Sequence, residues 1–160
     1  MKTKIKTISK ILIFSFFLIL TISCDKSEVE NKSILPEKIN PITIGKGNLN
    51  ESDIVYSQPN FVINNDIEWQ GLLNNFYTKY NNYIVTTFSE TNIDFNNFEI
   101  IVAFYGSSSS FRVNISNVVE TADAIIATIQ QTGGPIVTDD SSTPFHIVKI
   151  PRSDKPVIFQ

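Results

Sequence analysis

The sequence predicts an α+β domain: an antiparallel β-sheet or partly closed barrel of about five to seven strands, with one main helix over about residues 65–80 packed on one face. Two observations carry most of that reading. Between Phe98 and Pro151 four β-prone runs, Phe98–Tyr105, Phe111–Glu120, Ala124–Gln131 and Phe145–Pro151, alternate with short loops rich in Gly, Ser, Thr and Asp. Upstream of them, Trp69, Leu72, Leu73, Phe76 and Tyr80 recur at the spacing of one helical face.

Taken in order, the chain begins with a basic segment, Met1–Lys10, and an apolar run, Ile11–Ile22. That run is 12 residues long, whereas a spanning helix needs about 20 and a signal-peptide core roughly 7–15. It closes on Leu20-Thr21-Ile22-Ser23-Cys24, which resembles a bacterial lipobox with Thr21 where Leu is usual. The chain's single Cys stands where acylation needs it. Residues 1–23 are therefore expected to be a removed signal peptide, and Cys24 the lipid attachment that ties the protein to a membrane. Loss of residues 1–23 removes four of the 13 basic residues and none of the 16 acidic ones, taking the net charge from −3 to −7. Nucleic acid is a poor partner for so acidic a protein. One His and one Cys exclude an internal disulfide and a Cys/His zinc cluster.

Residues 24–52 read as a lipidated N-terminus and flexible tether: Asp25–Glu30 is charged without periodicity, and Pro36, Pro41, Gly45 and Gly47 interrupt regular structure. The acidic residues after Cys24 resemble an export tract to the outer face of an outer membrane, so an outer-membrane or cell-surface location is expected. A single globular domain then spans 53–160. Ile54–Tyr56 and Phe61–Ile63 are short β-prone runs split by Gln58-Pro59-Asn60. Asn65 is placed to cap the helix, with Glu68 three residues on and Asp66 in the first turn, where the helix dipole favours negative charge. Trp69 at that spacing is core. Asn81-Asn82 ends the helix, Tyr83–Phe88 has strand propensity, and Asn92–Asn97 reads as one helical turn.

Phe98–Tyr105 is nearly continuously apolar, as expected of a central strand covered on both faces. Phe111–Val119 alternates, as a half-exposed antiparallel strand does, and Thr121–Asp123 connects it to Ala124–Ile129 as a hairpin. Pro151 and Pro156 confine the last pieces, including Val157–Phe159, to edges or ends.

The order of Ile67-Glu68-Trp69, Ile93-Asp94-Phe95, a β-run ending in Gly106, a hairpin, a Gly/Pro loop and Ser142–Pro151 resembles the C-terminal domain of PrcB-like protease-complex subunits, over about residues 61–160. Where that family usually has a Gly-Gly-Tyr step, this chain has Ser109-Ser110-Phe111, and its Pro-Gly loop is here Thr132-Gly133-Gly134-Pro135. The resemblance implies an accessory lipoprotein that helps assemble or stabilise a surface protease complex.

Catalysis has little support. Ser107–Ser110 supply hydroxyls and His146 a base, but His146, flanked by Phe145 and Ile147, is expected on the solvent-facing side of a strand. Asp139-Asp140 with Asp123 or Asp154 lack calcium-loop spacing and read as polar turns. No cofactor and no metal is expected. The candidate partner-binding residues are Gly106, Ser107, Ser108, Ser109, Ser110, Thr132, Gly133, Gly134, Pro135 and Thr143, in two polar loops. In an antiparallel meander these loops leave the same end of the sheet, away from Thr121–Asp123. The function expected is a non-catalytic protein-binding or assembly module with a protein partner, a protease by resemblance. The alternative is a peptidase inhibitor that presents similar loops on a β-scaffold.

Overall fold

A sheet strand that is apolar at nearly every position must be covered twice, and Phe98–Phe104, apolar except at Glu99, is. In the computed structural model, which describes residues 36–49, 59–80, 88–105, 107–108, 111–133 and 141–160, nine strands and one helix form three layers. The strands are β1 (Glu37–Ile39), β2 (Ile42–Leu49), β3 (Asn60–Ile63), β4 (Phe98–Phe104), β5 (Ser107–Ser108), β6 (Phe111–Glu120), β7 (Ile125–Gly133), β8 (Ser141–Pro151) and β9 (Val157–Phe159); helix α1 is Asp66–Tyr80.

One sheet has the order β2-β8-β4-β3, with β5 on β8, and the other β1-β6-β7-β9. All pairs are antiparallel except β7 with β9. The first sheet is the middle layer. Alternation along β4 turns Ile100, Val102 and Phe104 toward α1, where Trp69, Leu72, Leu73 and Phe76 meet them with Phe145 and Ile147. It turns Ile101 and Ala103 toward Val113, Ile115, Val118, Ile125 and Ala127 of the second sheet. The α+β class and the single helix on one sheet face are as the sequence predicts. The strands do not close into a barrel. β4 and β6 do not pair as a meander requires; the chain passes from one sheet to the other between them.

Local chemistry explains the elements. The Asn65 side chain accepts the Glu68 amide (3.0 Å), capping α1. Trp69 is fully buried, and its indole N–H donates to the Thr91 carbonyl (2.8 Å). Asp94 closes the turn before β4, accepting the Asn96 amide (3.0 Å) and the Asn97 side-chain amide (2.7 Å). The Asn97 bond, then the Asn96 amide, hold its carboxyl below the ordinary carboxylate range. In the β6–β7 hairpin, Thr121 Oγ1 both donates to the Ala124 carbonyl (2.8 Å) and accepts the Ala124 amide (3.0 Å).

The tether assignment is corrected for its C-terminal part. Residues 37–39 and 42–49 are β1 and β2, so the folded domain includes them rather than starting at Asp53. Pro36 and Pro41 flank strands instead of interrupting them, and the Asn40-Pro41 step is where the chain leaves one sheet for the other. Gly45 answers a packing need: a Cβ there would stand 2.9 Å from the Phe88 ring, which bridges to this strand. The signal peptide, Cys24, Ile54–Tyr56 and Tyr83–Thr87 lie outside the described residues.

Candidate functional site

Those polar residues singled out in the sequence that the structure describes gather at one end of the fold, and they do so in strands. Strand β5 pairs with the start of β8, Ser107 opposite Ser142 and Ser108 opposite Ser141. On the other sheet Phe111 pairs with Gly133 and Arg112 with Thr132. These ladders draw the segments after β4 and β7 to the same end, while the Thr121–Asp123 turn closes the opposite one, beyond Glu120 and Ile125. β2 reaches that end as well, since Leu49 pairs with Thr143. There the Lys46 ammonium donates to the Asn114 side chain (2.9 Å), and the Arg112 guanidinium to the side-chain carbonyl of Asn48 (2.8 Å). Those bonds join the two sheets along one side.

Five candidates change character. Thr132 and Gly133 belong to β7, exposed but paired to β6, and Thr143 is a buried residue of β8. The second loop is thus shorter than 132–143: the strands run on past the core, where no apolar residue is needed to mark them. Gly133, at φ 148°, takes a backbone conformation that favours glycine as β7 ends. Ser107 and Ser108 form β5. Gly106, Ser109, Ser110, Gly134 and Pro135 lie outside the described residues.

His146 is the largest departure. It faces the second sheet instead of solvent and is 4 % exposed. The Ile115 amide donates to its Nδ1 (2.8 Å), at the point where β6 carries a bulge between Ile115 and Asn117. Nδ1 must then be unprotonated, so the ring proton resides on Nε2 and donates to Thr43 Oγ1 (3.0 Å). One imidazole joins β2, β6 and β8. Burial, aided by the Lys46 charge, lowers its pKa to about 4. The sequence signal that could have found this was the run Phe145–Ile150, apolar on both alternating faces apart from His146 and Lys149.

A second buried ionisable group escaped the sequence reading. Glu99 on β4 is 4 % exposed, and its Oε1 has no hydrogen-bond partner among the described residues. Burial raises its pKa, against the attraction of Arg152 and the Ser153 amide. Among the described residues no group of three or more His, Cys, Asp or Glu side chains is arranged to hold a metal ion. No helix among them is long and apolar enough to cross a membrane.

No family model, curated protein or solved structure matches this chain. The reading of the site therefore rests on its own geometry.

Proposed function

We propose that the protein is a cell-envelope lipoprotein, anchored through a lipid on Cys24 at the outer membrane or cell surface, that acts as a non-catalytic protein-binding or assembly module. As a finer reading, the partner is a surface protease complex that it stabilises as an accessory subunit. The observation that carries the binding reading is the convergence of polar segments on one end of a rigid scaffold: the Ser107–Ser142 and Phe111–Gly133 pairs fix where both loops leave the sheets. Against catalysis, His146 uses both ring nitrogens inside the fold and has no free lone pair for a serine hydroxyl.

The test is crosslinking in intact cells followed by recovery of the tagged full chain. Replacing Ser109-Ser110 with Gly-Asn, which leaves the β5 pairs in place, and shortening the 134–140 segment is expected to reduce partner recovery by at least about tenfold at unchanged thermal stability. Changes at Thr121–Asp123 are expected to leave recovery intact. Equal recovery by wild type and the double-loop variant would overturn the reading.

A further inference from the structure

Two β-bulges lie on either side of one buried imidazole. The β2 ladder shifts register between Thr43 and Gly45, and the β6 ladder between Ile115 and Asn117. A bulge re-aims the strand that carries it. Here the Thr43 hydroxyl meets His146 Nε2 (3.0 Å) and the Ile115 amide meets Nδ1 (2.8 Å). β1 pairs with β6 only over Val118–Glu120, so His146 takes the place of a neighbouring strand for the part of β6 that follows Phe111. Beside it Lys46 donates to Asn114 (2.9 Å).

That bonding admits one protonation state. A main-chain N–H only donates, so Nδ1 must keep its lone pair. A proton arriving at Nδ1 sets donor against donor and ends the bond to β6. The imidazolium would also be buried without a counter-charge among the described residues. Its register partner on β2 is Lys46, whose charge opposes it. On β4 it stands opposite Ala103, and the ionisable group on that face is Glu99, four residues on and about 13 Å along the strand. β6 brings neutral Asn114 and Ile115, with the Arg112 guanidinium turned to Asn48. β7 has no ionisable residue. On β8 the nearest is Lys149, whose ammonium is paired with Glu90. Solvent protons have a route, since Thr43 and Lys46 are both exposed.

We infer that His146 is an acid-operated latch: on gaining a proton it releases the Phe111–Ile115 stretch of β6 from β8, while the core on the helix side stays closed. That stretch ends at the Phe111–Gly133 pair of the polar end, so acid loosens the scaffold from which the candidate loops leave. As a control of partner binding the latch rests on the reading proposed above; the opening itself does not. Burial and Lys46 lower the pKa in the closed form from 6.5 to about 4. The latch is therefore fully closed above the ordinary histidine value and loses stability as pH falls from there toward 4. With the freed imidazole at its ordinary pKa, the opening equilibrium rises about twentyfold between pH 7 and pH 5.

Hydrogen exchange of the full chain in detergent, corrected for the pH dependence of the chemical step, reads the opening. The Ile115 amide is expected to lose protection about twentyfold from pH 7 to pH 5. It should exchange faster than the Val102 amide of the central strand at each pH, and the fluorescence of Trp69, on the helix side, should hold. His146→Asn and His146→Gln keep an uncharged acceptor and do not titrate; in either, the pH response of the Ile115 amide is expected to vanish. Protection of the wild-type Ile115 amide that is independent of pH, an equal response in the uncharged variants, or exchange no faster than at Val102 would each overturn the inference. Partner recovery enters none of these readouts, so they fail separately from the binding reading.

Discussion

Toward the helix, the β2-β8-β4-β3 sheet presents Ile100, Val102, Phe104, Phe145 and Ile147, packed on Trp69 and Phe76. Toward the second sheet it presents Ile101, Ala103, Val148 and Ile150, and beside them Glu99 and His146. The helix side is aromatic: Phe76 meets Phe88 and Phe145 edge-on, each at 5.1 Å between ring centroids. The other side is aliphatic and holds the two buried ionisable groups. One sheet thus separates a core of packed rings from an aliphatic core that also encloses Glu99 and His146.

The largest expected effect falls on the aromatic side. Trp69→Ala removes a fully buried ring and leaves the Thr91 carbonyl without its donor. Unfolding free energy measured by denaturant titration is expected to drop by about 3–5 kcal/mol, with little dependence on pH. A drop near zero would break the comparison by placing Trp69 outside the core.

A smaller effect, of opposite sign, is expected from Glu99→Gln. The folded state raises the pKa of this carboxyl, so it holds the proton more tightly than the unfolded chain does. Its favourable contribution is present at low pH and is lost as pH rises through the folded pKa. Above the folded pKa the fold carries a desolvated carboxylate, and there the neutral isostere is expected to gain about 1 kcal/mol. Near pH 3, where the carboxyl is protonated in both states, the gain should vanish. A loss at neutral pH would show that the attraction of Arg152 outweighs burial.

Much of the helix side is legible in the sequence, because α1 announces itself twice, by the Asn65 cap and by the spacing of Trp69, Leu72, Leu73 and Phe76. The continuous apolar run of β4 likewise announces two covered faces. The second core is harder to read. Its strands β6 and β7 alternate as any half-exposed hairpin does, and nothing local says that they cover the first sheet instead of extending it. β1 and β2 are hidden by Pro and Gly, which serve here as a strand boundary, a change of sheet and a seat for Phe88. At the candidate site the sequence places both loops at one end on the premise of a β4-β6-β7 meander, which the fold lacks; the ends coincide because the β5–β8 and β6–β7 ladders draw them there. The burial of Thr143 and the pairing of Thr132 are not legible, because polar residues in strands beyond the core resemble loop.

The comparison of the two cores turns on the state of His146. It is the chain's single histidine, so its ring gives one set of resonances, and an NMR pH titration reads it directly. A midpoint at about 4 is expected, with the Nε2–H tautomer above it and a concerted shift of the Ile115 amide. A midpoint near the ordinary value of about 6.5, with the Ile115 amide unmoved, would contradict the buried, doubly bonded imidazole on which that account of the second core rests.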